Sequence, residues 1–203
     1  MAFFHAHPLP YTARCEPLAR CLAPDPPTSD SLQSIAAITF LMRTFPVPAQ
    51  ALFEYPEIDF DAPMVDQAGI GEINPHRGPM VQLDGIGWWS DGKGVGFRNI
   101  RSDEFWVDGH IPGRPLLPGV LMIEAAAQLS SYVQQMCHPE LQESFLGFTR
   151  CDDCAFRGQV VPGDRLIFLA AMEKQNRRRF VSKCQGFVGD ALVFEAKITG
   201  MAF

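Results

Sequence analysis

The chain has 203 residues, a hydrophobic content of 47% and a formal net charge of −6 at pH 7. That length suits one domain with one core, and the acidic balance excludes a general nucleic-acid or anionic-membrane binder, which needs a basic footprint. No apolar run approaches the ~20 residues of a spanning helix, and the best stretch, Ile35 to Met42, is too short and too far from the N-terminus for an ordinary secretory signal, so a cytoplasmic protein is expected.

Residues 1–52 differ from the rest, because eight of the 17 prolines fall in the first 50 residues, Pro24-Asp-Pro-Pro27 among them. Proline fixes φ and withholds a backbone donor, so this extension is expected to be extended or disordered, with a short helix across Ser31 to Arg43, ahead of a folded domain at 53–203. His5 and His7 read as solvent-exposed rather than as ligands, and Met42 is an alternative initiator. Asp61 to Asn74 reads as a transition holding one short helix, followed by Pro75-His76-Arg77-Gly78, where a structural role is expected for His76. Met80 to Trp89 and Lys93 to Asn99 read as two strands across a Ser-Asp-Gly turn.

The chemistry concentrates in His110 to Gln128, HIPGRPLLPGVLMIEAAAQ. Prolines at 112, 115 and 118 stiffen the loop that carries the imidazole. Pro118 and Gly119 form a plausible helix start, with the free N–H groups of Gly119, Val120 and Leu121 facing outward. From Val120 to Met136 the helix is apolar on nearly every face, so it is expected to be buried. Glu124 is its one carboxylate; burial should raise its pKa, and Gln128, one turn on, is placed to hydrogen-bond it. A positioned imidazole, a perturbed carboxyl and a helix N-terminus able to hold an oxyanion are the parts needed to remove water from a 3-hydroxyacyl thioester.

After the helix the pattern turns to period two. Leu166, Phe168, Ala170 and Met172 share one strand face, and Leu192, Phe194, Ala196 and Ile198 another, with turns at Gln175 to Arg178 and Gly189-Asp190. Arg177, Arg178 and Arg179, with Lys174 and Lys183, form a basic cluster that reads equally as a solvated turn or as a patch that steers an acidic partner. Cys151-Asp-Asp-Cys154 has the spacing of a metal or redox pair, yet no second pair accompanies it, and two strand thiols is the plainer reading. No metal site, phosphate-cradling loop or dinucleotide fingerprint is visible.

The stretch from His110 to Gln128 resembles the active-site loop and central helix of the 3-hydroxyacyl-[acyl carrier protein] dehydratases. Asn74-Pro-His-Arg77 with Pro79 to Asp84 resembles that family's leading segment and first strand, and Val161-Pro-Gly-Asp164 resembles a later turn, so the likeness runs from about Ile70 to Phe203. The resemblance implies an α+β hotdog fold, a curved antiparallel sheet around one long central helix, and a homodimer or higher homo-oligomer in which two protomers share each site. It further implies His110 as base, Glu124 as acid, and Gly119, Val120 and Gln128 at the substrate. No cofactor is implied, since the acyl group rides on the phosphopantetheine of an acyl carrier protein, which Arg177 to Arg179 would meet. Two departures stand out: Gly78 and Ile111 occupy positions that are aromatic in relatives. Glu124, where the related dehydratase/isomerases carry Asp, favours dehydration without isomerisation. A hotdog thioesterase and a silent acyl-binding protein are the competing readings.

Overall fold

A computed structural model describes residues 50–142 and 144–203. The expectations for residues 1–49, including the helix across Ser31 to Arg43, lie outside the described residues. The chain forms β1 (Val65–Asp66), α1 (Gln67–Ile73), β2 (Gly85–Ser90), β3 (Lys93–Asn99), α2 (Gly119–Cys137), β4 (Leu146–Phe156), β5 (Arg165–Gln175), β6 (Arg179–Val188) and β7 (Ala191–Ala202). All seven strands join one antiparallel sheet in the order β1-β2-β3-β5-β6-β7-β4. Strands β1 and β4 are its edges.

Strand β2 starts later than the period-two pattern suggests, at Gly85 rather than Met80. The physical reason is that Gln82 spends its backbone N–H on the Gln128 side chain (3.0 Å) instead of on a neighbouring strand. Helix α1 begins where Asp66 accepts from Gly69 N–H (2.9 Å), an N-cap that satisfies one of the first-turn donors.

Alternation along the strands gives the sheet two apolar faces. Leu166, Phe168 and Ala170 of β5 turn toward α2, where they meet Ala125, Ala126 and Leu129 in the main core. The helix comes close because β3 presents glycine beneath it: a Cβ on Gly94 would lie 2.6 Å from Val133 Cγ2. On β7, Phe194, Ala196 and Ile198 join this core as the pattern implies, but Leu192 packs on the opposite face. A register shift between Gly186 and Phe187 of β6 reverses the phase at that point.

The opposite face is covered by the chain's own segment 51–60. Phe53, Ile58 and Phe60 pack there against Val95, Phe97 and Leu169. The Gln185 amide fastens the start of this strap, accepting from Leu52 N–H (2.9 Å) and donating to Gln50 O (3.1 Å). Gly87 provides its seat, since a Cβ there would lie 2.4 Å from Ile58 Cγ2. Gly87→Ala should therefore cost about 1–3 kcal/mol by overpacking. Ile58→Ala in the same chain should relieve part of that cost, so urea unfolding of the double variant should show less destabilisation than the two single changes summed. Additive losses would contradict this seating.

Candidate active site

Loop 101–118 holds His110 by backbone bonds at both ends. His110 N–H donates to Trp106 O (2.8 Å), Leu116 N–H donates to His110 O (2.9 Å), and Leu117 N–H donates to Val160 O (2.9 Å). Between them Ile111 to Arg114 forms a turn closed by Arg114 N–H on Ile111 O (2.8 Å), with Pro112 at its second position and Gly113 at φ 74° in its third. That is the proline–glycine chemistry of a type II turn.

The His110 ring is exposed, with Nδ1 2.8 Å from Leu116 O. A carbonyl oxygen only accepts, so Nδ1 carries the proton and Nε2 keeps its lone pair. The loop thus presents a tautomer ready to take a proton at Nε2.

Glu124 lies on α2, half-buried, and lines a cavity of about 220 Å³ with Pro75, His76, Ser131 and residues of β4. Its Oε1 accepts from Gln128 Nε2 (2.8 Å), the i+4 bond anticipated from the helix spacing. The same oxygen lies 3.1 Å from His76 Nε2. Oε2 accepts no hydrogen bond among the described residues.

The expected upward shift of the Glu124 pKa is overturned. The hydrogen bond from His76 holds this carboxyl below its ordinary value; burial pushes the other way and loses, while Gln128 adds to the lowering. The contact between His76 and Glu124 spans 48 positions of the chain, so helix spacing carries no sign of it. The only available signal was Pro75-His76-Arg77 standing within a segment that resembles the dehydratases.

Gln128 is buried and its polar atoms are engaged: Nε2 donates to Met80 O (2.7 Å) as well as to Glu124, and Oε1 accepts from Gln82 N–H. It acts on Glu124 and the leading segment. At the start of α2, the N–H of Leu121 is not free, since it donates to Pro118 O (2.9 Å). Val120 is exposed. Gly119 admits the Phe156 ring of β4, whose Cε1 lies 2.7 Å from where a Cβ would stand.

No hydrogen bond or ion pair joins His110 to Glu124 within the described chain. Cys151 and Cys154 lie on β4 around a register shift; burial and the neighbouring Cys154 push the Cys151 thiol up to about 11, which keeps it protonated at neutral pH. Arg177 pairs with Glu140 (3.1 Å) and Lys183 with Glu173 (2.8 Å), whereas Lys174, Arg178 and Arg179 make no ion pair among the described residues.

A long helix against a seven-stranded antiparallel sheet, with a carboxyl on the helix and an imidazole on the loop before it, is the build of a hotdog-fold dehydratase. The chain belongs to the FabA-like family, whose model matches residues 74–197. The FabZ 3-hydroxyacyl-[acyl-carrier-protein] dehydratase of Pelotomaculum thermopropionicum is 41% identical over 138 residues, 66% of this chain and 96% of that protein. The FabZ dehydratase of Alkaliphilus metalliredigens is 40% identical, over 64% of this chain and 88% of its own. Among solved structures, the dehydratase heterocomplex ApeI:P of Xenorhabdus doucetiae has the same fold, with a TM-score of 0.58 at 15% identity over 66% of this chain and 90% of that one. Among the described residues, no helix is long and apolar enough to cross a membrane.

The lowered Glu124 pKa sets a sign for stability against pH. A carboxyl depressed in the folded state contributes stability above its unfolded value and loses it as the pH falls through the folded one. Wild type should therefore gain in Tm on Glu124→Gln as the pH rises from about 3 to about 6. A difference that stays constant over that range would contradict the lowered value.

Proposed function

We propose that the protein removes water from 3-hydroxyacyl thioesters carried on acyl carrier protein, giving trans-2-enoyl thioesters in fatty acid biosynthesis. His110 Nε2 takes the proton from Cα, the bond from Cβ to the hydroxyl oxygen breaks, and the hydroxyl leaves as water with a proton from Glu124, directly or through one water. Proton exchange with solvent then restores the starting state. N–H groups at the start of α2, Gly119 first, receive the thioester oxygen as enolate charge develops. The observation that carries this reading is the His110 ring, whose Nδ1–H is bound to Leu116 O and whose Nε2 is open as a base.

Resting Glu124 is ionised, which suits the reverse hydration. Entry of an acyl chain would strip the remaining water from the half-buried carboxyl, and that desolvation favours the acid form needed for dehydration.

Two protomers would complete the site. The absence of a direct contact between His110 and Glu124 in one chain supports this. So does β4, an 11-residue strand at the sheet edge that exposes Phe148 and Phe156 beside the Glu124 cavity and the Gly119 helix start. An exposed edge with apolar side chains is a template for pairing, and a second copy of the chain would continue the sheet across it. The carrier protein would approach the basic turn, where Arg178 and Arg179 make no ion pair among the described residues and Arg177 is paired with Glu140. The reaction takes place in the cytoplasm.

Dehydration of a carrier-bound 3-hydroxyacyl thioester, followed by enoyl absorbance, tests the proposal. Wild type should turn over, and His110→Ala and Glu124→Gln should each lose about 10²–10⁴ in rate. Release of free thiol instead of enoyl product would favour a thioesterase, and retained acyl binding without turnover would favour a silent acyl-binding protein.

A further inference from the structure

His76 touches the proposed acid and has no role in the steps above. Its backbone is unusually well held. Arg77 straddles it, donating from Nη1 to Asn74 O (2.8 Å) and His76 O (2.7 Å) and from Nη2 to Gly71 O (2.7 Å). Asn74 ties the same segment to α2 by donating from Nδ2 to Gln128 O (2.9 Å). The guanidinium is therefore turned to backbone carbonyls, and the imidazole alone is aimed at Glu124.

The two ring nitrogens differ. Nε2 lies 3.1 Å from Glu124 Oε1, while Nδ1 is buried and has no hydrogen-bond partner among the described residues. A proton on Nδ1 would bury an N–H without an acceptor among the described residues. The tautomer that satisfies the site carries its hydrogen on Nε2 and gives it to the carboxylate. Facing Glu124 across the cavity are Phe145, Leu146 and Phe148 on the β4 side, Phe180 of β6 and Ile198 of β7, none of them titratable; from α2 itself come Ala127, Gln128 and Ser131.

We propose that His76 is a positioning residue: with Gln128 it pins Oε1 of Glu124 from two sides and leaves Oε2 as the oxygen that meets the substrate. Both donors are themselves fixed, one by the Arg77 and Asn74 bonds and the other by Met80 and Gln82, so the carboxyl has one orientation. This rests on the dehydratase reading for the step that Oε2 performs, and on the geometry alone for the pinning.

The test compares wild type with His76→Ala and His76→Gln, whose amide N–H can reach the place of Nε2. One readout is the titration of the Glu124 carboxyl by ¹³C NMR on glutamate-labelled protein, assigned by its loss in Glu124→Gln. In wild type it should titrate below the ordinary glutamate range; His76→Ala should move it upward, and His76→Gln should keep it low. The second readout is turnover. His76→Ala should lower kcat about tenfold to hundredfold with KM little changed, and His76→Gln should recover most of the loss. An unmoved titration in His76→Ala, or a Gln variant that matches Ala in both readouts, would overturn the proposal. If the Ala variant does not fold, the Gln variant decides: a low titration with near-wild-type kcat supports it, and a raised titration refutes it. The NMR readout needs no turnover, so a wild type that fails to dehydrate would sink the dehydratase reading while the titration still decides on His76.

Discussion

The amide of Gln128 is the junction on which the rest of the site depends. Buried at 1% exposure, it takes Gln82 N–H, gives to Met80 O and gives to Glu124. A primary amide offers two hydrogens and one carbonyl oxygen, and here all three functions are in use. These bonds stop β2 from starting before Gly85, hold the leading segment against α2 and set the carboxyl. Leaving such buried partners unpaired costs about 1–3 kcal/mol each, which makes the arrangement self-consistent rather than adjustable.

From that junction a hydrogen-bonded thread runs to the other half of the site. Gln82 accepts from Arg98, Arg98 pairs with Glu104, and Glu104 accepts from Trp106 Nε1 (2.8 Å). Trp106 O then receives the backbone N–H of His110 (2.8 Å). Arg98 and Glu104 are each about 5% exposed or less, at 5% and 4%. Burial lowers the Arg98 pKa and the Glu104 carboxylate opposes that shift, so neither charge would be tolerated alone. This buried polar network thus anchors both the carboxyl helix and the imidazole loop to β3, the strand whose glycines let α2 approach closely.

Local spacing made much of this legible. The proline loop, the buried helix, the bond between Glu124 and Gln128 and the alternation of β5 all depend on residues a few positions apart. What escaped depends on partners far along the chain. The direction of the Glu124 pKa shift is set by His76, the phase of Leu192 by a bulge at Val193 of β7, which has no partner between Gly186 and Phe187 of β6, and the fate of Phe53, Ile58 and Phe60 by an apolar sheet face made of β3 and β5. Segment 51–60 has neither helical nor strand periodicity, so its apolar residues offered no hint that they would cover a sheet. The outward N–H groups expected at the helix start were only partly correct, because Leu121 bonds back to Pro118.

Mixing the two single variants His110→Ala and Glu124→Gln, after unfolding and refolding them together, tests most directly whether each site is built from two protomers. Half of the dimers would then be mixed, and each mixed dimer would hold one intact site of two, so activity should return to about a quarter of the wild-type value. If the mixture stays as inactive as either variant alone while dimers form, His110 and Glu124 do not meet across an interface, and the two-protomer site is wrong.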